Sequence, residues 1–128
     1  MSGEPHEVTH PKFRMWLRPD GIVELVWRSG AELGLEDAVA AIDEMTKLTD
    51  GRRSLLLVDI HDAGQQDRAA RMAFVRGGDL VLAVALLVST PLSRMMGNFF
   101  LTVSKPTTPT RLFDDEAAAV AWFKEIVG

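Results

Sequence analysis

Asp59, His61 and Asp62 form an Asp-x-His-Asp cluster, the densest acid–base chemistry in the chain. A carboxylate beside an imidazole can move protons near neutral pH. Holding a metal would take a third ligand and partners that orient the histidine, and the local spacing supplies neither. The plainer role is structural: Asp59 caps nearby amides, as loop aspartates do, and His61 sits on the rim. Asp67, Arg68 and Arg71 come next. Asp67 and Arg71 stand four apart and can pair on one helical face. Arg68 and Arg71 stand three apart and can grip a carboxylate or phosphate, or form only a solvated pair of small energetic weight. A third group, Ser89, Thr90, Ser93 and Arg94, suits a helix start whose amides can receive an anion or are simply capped. Ser93 has no glycine-flanked elbow and no paired histidine. No catalytic residue is assigned.

These groups need elements to position them. Phe13 to Arg18 alternates apolar and polar residues, as a half-buried strand does. Pro19-Asp20-Gly21 marks a turn, and Ile22 to Trp27 reads as the second strand of a hairpin. Leu35 to Leu48 has helical spacing, with Leu35, Ala38, Val39, Ile42 and Met45 on one face. Glu36 and Asp37 suit the positive end of that helix. Ser54 to Ile60 is a continuous apolar strand, the pattern of a strand covered on both faces. A short helix spans Gln65 to Arg76, and Gly77-Gly78 turns the chain. Leu80 to Ser89 is the next buried strand. Thr90-Pro91 opens a helix through about Val103. Thr110 to Phe113 is a short strand. Asp114 caps a last helix over 115–127, with Ala118, Ala119, Trp122, Phe123 and Ile126 inward.

Residues 1–12 are polar, hold two prolines, and read as a flexible lead-in with nothing to fix His6 or His10. The remainder, 13–128, reads as one domain in the order ββαβαβαβα: about five strands in a mixed, mostly parallel sheet with about four helices, an α/β protein. At 128 residues the chain needs no metal or disulfide to fold. It has no cysteine, which removes disulfides and zinc–thiolate sites. A net charge of −4 argues against nucleic acid as a partner. No apolar run approaches the roughly 20 residues of a membrane span, and no leader is evident, so a cytoplasmic location is expected.

The segments DGIVELVW, LLLVDI, DRAAR, VALLVSTPLSRMMGNFF and PTRLFDDEAAAVAWF, in this order, resemble the STAS fold of sulfate transporters and anti-sigma-factor antagonists. The resemblance covers roughly residues 13–127 and is closer to small uncharacterised bacterial STAS-like proteins grouped with Sec14-like domains. In the antagonists, a strand ending in an Asp-Leu-like pair leads to an Asp-Ser loop whose serine is phosphorylated. Here the strand ends in Asp59-Ile60, and Asp67 overlays the family aspartate. The serine position holds Arg68, and no Ser, Thr or Tyr lies between Ser54 and Ser89. The resemblance therefore implies a non-enzymatic interaction module without the phosphoswitch, homodimeric or bound to a protein partner, and without a cofactor. In the helix after Pro91, Leu92, Met95, Met96 and Phe99 can form the core-packing stripe. Met95, Met96, Phe99 and Phe100 widen the apolar arc and form the candidate interface, with lipid binding through a cavity beneath this helix as a variant. The alternative is a binder of a small anionic ligand or lipid, held by Arg68, Arg71 and the Ser89–Arg94 turn.

Overall fold

Two kinds of apolar pattern set the architecture, alternating in the N-terminal strands and continuous in the later ones. The computed structural model describes residues 7–60 and 64–127. Six strands form one sheet: β1 (Glu7–His10), β2 (Phe13–Leu17), β3 (Val23–Trp27), β4 (Ser54–Asp59), β5 (Val81–Leu87) and β6 (Thr110–Phe113). They lie side by side in chain order, antiparallel from β1 to β3 and parallel from β3 to β6. Helices α1 (Leu35–Thr49), α2 (Arg68–Arg76) and α3 (Pro91–Phe99) make the crossovers, and α4 (Glu116–Val127) is the last element. A π-helical turn, Phe100–Ser104, extends α3. The α/β class, the mostly parallel sheet and the four helices match the sequence-based expectation. The order gains one strand at the front.

That extra strand corrects the lead-in, which was expected to run to residue 12. Glu7–His10 pairs with β2 in the register Glu7–Trp16 to His10–Phe13. Its sequence is short and polar, so it carries no strand signal. Packing holds it instead. Val8 sits against the core, and the His10 ring stacks on Phe13 at 4.4 Å between centroids. His10 is thus fixed, where the sequence offered nothing to fix it. His6 lies outside the described residues.

Right-handed crossovers between parallel strands laid down in consecutive order all fall on one sheet face. Accordingly Ala38, Ala41 and Met45 of α1, Ala70 and Ala73 of α2, and Met96 and Phe100 after β5 share one core. Leu25, Val58 and Leu86 of the sheet belong to it too. Among the described helices only α4 covers the other face, with Ala119, Trp122 and Phe123 on Leu57, Ala83 and Ala85. β4 is covered on both faces, as its continuous apolar run requires. Arg18 ties α4 to the hairpin through Asp20, Glu24 and Glu116.

Helix faces differ from the sequence-based assignment in α1, α3 and α4. In α1, Leu35 and Val39 are exposed, while Asp37, Ala38, Ala41 and Met45 are buried. In α4, Ala118 and Ile126 point outward. In α3 the inward stripe is rotated by one position. For α1 the reason is Asp37, a charged residue that burial statistics place outside. Its carboxylate accepts from the Gly34 amide at 2.9 Å and from Lys12 Nζ at 2.8 Å. Lys12 also donates to the Glu32 carbonyl. Asp37 therefore closes the start of α1 and anchors the β1–β2 turn.

Burial alone would raise the Asp37 carboxyl, but the Lys12 and Gly34 bonds outweigh it and hold it below its usual value of 3.8. A depressed carboxyl contributes stability that is present above the unfolded value and lost as pH falls through the folded one. Asp37→Ala should cost about 1–2 kcal/mol at pH 7 in denaturant titrations. The difference from wild type should shrink below about pH 4. Equal stability of the two proteins at pH 7 would remove Asp37 from this role.

Candidate functional site

The helix-covered sheet face is not closed. α2 packs on α1 but meets the third crossover chiefly at the π-helical turn. Between α2 and α3 a cavity of about 500 Å³ opens over β4 and β5. Its floor is Leu56, Val58, Val84 and Leu86, and its walls include Met45, Phe74, Met96 and Phe100. Small residues leave this space. Ser93 and Gly97 are the buried positions of α3, and Gly97 lies so close to Leu112 that an added Cβ would stand 2.6 Å from it. The helix thus seats tightly on β6 at Gly97.

The outer stripe of this helix is apolar too. Leu92, Met95, Phe99 and Val103 are 57%, 61%, 46% and 55% exposed. The sequence pattern had put Leu92, Met95 and Phe99 in the inward stripe. The inward residues are instead Ser93, Met96, Gly97 and Phe100. Leu92, Met95 and Phe99 border the cavity where it reaches solvent.

Arg71 is the only charged residue among the described residues lining the cavity. Its guanidinium lies 4.8 Å above the Phe99 ring, bridging the gap between α2 and α3. Nη1 donates to the Gln66 carbonyl at 3.2 Å. Nε is buried and has no hydrogen-bond partner. The expected Asp67–Arg71 pair is not formed. Asp67 caps α2 instead, accepting from the Ala70 amide at 2.8 Å. Arg68 is exposed and outside the cavity lining, so the two arginines do not converge.

The rim is built by loop pairing. Gly64 and Leu33 donate to the Ala31 and Gln65 carbonyls respectively, and the Asp67 amide donates to Leu33. A Cβ on Gly64 would meet the Ala31 carbonyl oxygen at 2.6 Å, so this contact requires glycine.

The other candidates scatter. Asp59 alternates with Val58 and Ile60, which line the cavity, and so faces the opposite side of the sheet. There, burial and the like charge of Glu116 raise the Glu24 carboxyl, Arg18 partly offsets this, and Asp59 adds to the rise. Asp59 and Arg71 therefore do not share a site. His61 and Asp62 lie outside the described residues. Ser93 is buried, and its Oγ accepts from the Ser89 and Thr90 amides, both at 3.0 Å. Its own amide donates to Thr90 Oγ1. The start of α3 is thus occupied by its own capping box, and Arg94 pairs with Asp114 across the surface. No cluster of metal-ligating side chains occurs among the described residues. No helix there is long and apolar enough to cross a membrane.

The family model described as a domain of unknown function, DUF7793, matches residues 15–127. The chain belongs to the DUF7793 family. No curated protein matches it. Among solved structures, this DUF7793 chain is similar to an uncharacterised protein of the DUF3478 family from Shewanella loihica, described as having a SpoIIAA-like fold. The identity is 16%, the TM-score 0.61, and the match covers 95% of this chain and 98% of that one. The DUF7793 chain therefore has the STAS-like fold that its element order implied.

Sequence reasoning singled out Arg71, the wide apolar helix and a cavity beneath that helix as a variant, but not the lining that joins them. The available signal was the spacing of Ser93 and Gly97, small residues on the face turned toward the sheet. Ser93→Ala should strand the Ser89 and Thr90 amides and cost about 1–2 kcal/mol. Unchanged stability in chemical denaturation would show that this hydroxyl does not hold the helix start.

Proposed function

We propose that this chain is a non-catalytic protein that binds a small, largely apolar molecule between α2 and α3. The supporting observation is the cavity of about 500 Å³ walled by apolar side chains, within the roughly 300–1,000 Å³ usual for ligand pockets. Side chains of the chain itself leave this space unfilled. Such a gap forgoes packing contacts, and an apolar occupant restores them. The hydroxyls at its far end, Thr108 and Thr110, donate to the Gly78 and Thr108 carbonyls. The described lining offers no nucleophile and base in partnership, which favours binding over catalysis.

A neutral solvatochromic dye such as Nile red should gain fluorescence with wild-type protein and raise its melting temperature in proportion to occupancy. Val84→Phe places a ring into the cavity from its floor and should remove most of that gain while leaving the circular dichroism spectrum unchanged. A silent wild type, or an undiminished signal in the folded variant, would rule the reading out.

The exposed Leu92–Val103 stripe favours a second reading, a homodimer or protein contact through α3, because monomers rarely expose contiguous apolar surface without use. Met95→Glu with Val103→Glu should then shift sedimentation from dimer to monomer. A wild type that is already monomeric at high micromolar concentration counts against self-association.

A further inference from the structure

We infer that the occupant of the cavity is a single-chain amphiphile with an anionic head, and that Arg71 holds the head at the mouth. This rests on the proposed apolar-ligand function and goes beyond it by naming the ligand's charge and polarity. Arg71 is the only charge on the described lining, and no described carboxylate pairs with it. A guanidinium presents five N–H donors in a planar fork suited to carboxylate or phosphate. Here one nitrogen serves Gln66, the plane lies on Phe99, and buried Nε bonds to nothing.

A half-buried cation set in an otherwise uncharged described lining favours a ligand that brings an anionic acceptor to its accessible nitrogens. Gln65 and Gln66 flank it on the rim as neutral polar neighbours, and no carboxylate occurs among the described lining residues. Apart from Gln65, Gln66, Thr108 and Thr110, the side chains of the rest of the described lining are apolar and suit an aliphatic or aromatic body. The ligand that satisfies both ends carries its negative charge at Arg71 and lays its apolar chain over Leu56, Val58, Val84 and Leu86. The Phe99 ring, half exposed beside the guanidinium, covers the junction of head and chain.

The test uses the full chain and three probes of equal chain length, titrated by calorimetry: dodecanoate, dodecyl phosphate and dodecanol. One or both anions should bind wild type at least roughly tenfold more tightly than the alcohol, the worth of one charge-assisted hydrogen bond. The preferred anion identifies the head as carboxylate or phosphate. Arg71→Gln should bring the anions to within about twofold of dodecanol, both measured on the same folded variant. Arg68→Gln should change nothing. Equal binding of alcohol and anions by wild type overturns the inference without any variant and leaves the cavity reading standing. So does an anion preference that survives in folded Arg71→Gln. Absence of binding by all three probes, with Nile red also silent, overturns both.

Discussion

Consecutive strand order is the constraint on which this molecule depends. Each parallel crossover must be right-handed, so laying β3 to β6 down in sequence forces α1, α2 and α3 onto one face. Three helices must then share that face. α1 and α2 pack on one another through alanines. α3 sits close on β6 at Gly97, and a space remains between α2 and α3. The opposite face would be bare if α4 did not fold back across β4 to β6. The asymmetry between a crowded, incompletely filled face under three helices and a face covered by one helix is thus set by topology before any side chain is chosen.

Local devices then hold the crowded face in place. Asp37 is the most economical of them: one carboxylate closes the α1 start, takes the Lys12 ammonium, and so fastens the hairpin to the helix. Pairing of the segment at Ala31–Leu33 with that at Gly64–Asp67 fixes the start of α2 beside the start of α1. Phe13, Trp27 and Phe74 form a run of edge-to-face rings from β2 across β3 to α2. Together these leave Arg71 on a well-supported helix, where its guanidinium spans the gap over the Phe99 ring.

The element order was legible because alternation, continuous apolar runs and the Pro and Gly punctuation all agree with the fold. Three things were hidden, each for a physical reason. β1 was hidden because its stability comes from a histidine ring on Phe13 and one valine, not from strand-forming residues. The inner faces of α1 and α3 were hidden because Asp37, Ser93 and Gly97 point inward, while Leu35, Leu92 and Met95 point out. Hydrophobic periodicity reads such a helix with the wrong rotation. The lining and extent of the cavity were hidden because a void is defined by what neighbouring side chains fail to reach, which a linear pattern does not encode. Arg71 was legible as a candidate at the strand-to-helix turn, but its expected companions, Arg68 and Asp67, were assigned from spacing alone. Capping claimed one and solvent the other.

The β1 strand bears on where a shortened version of this protein can safely begin. A boundary drawn from sequence would fall just before Phe13, at the first clear alternation. Such a cut would delete the ring that shields Phe13, the valine beside it and the Lys12 ammonium that meets Asp37. It would also turn β2 into an open edge with unpaired backbone groups, a template for chain-to-chain pairing. A protein trimmed there would face aggregation for reasons unrelated to its pocket. Any dissection of the pocket is better carried out on a chain that still begins at or before Glu7.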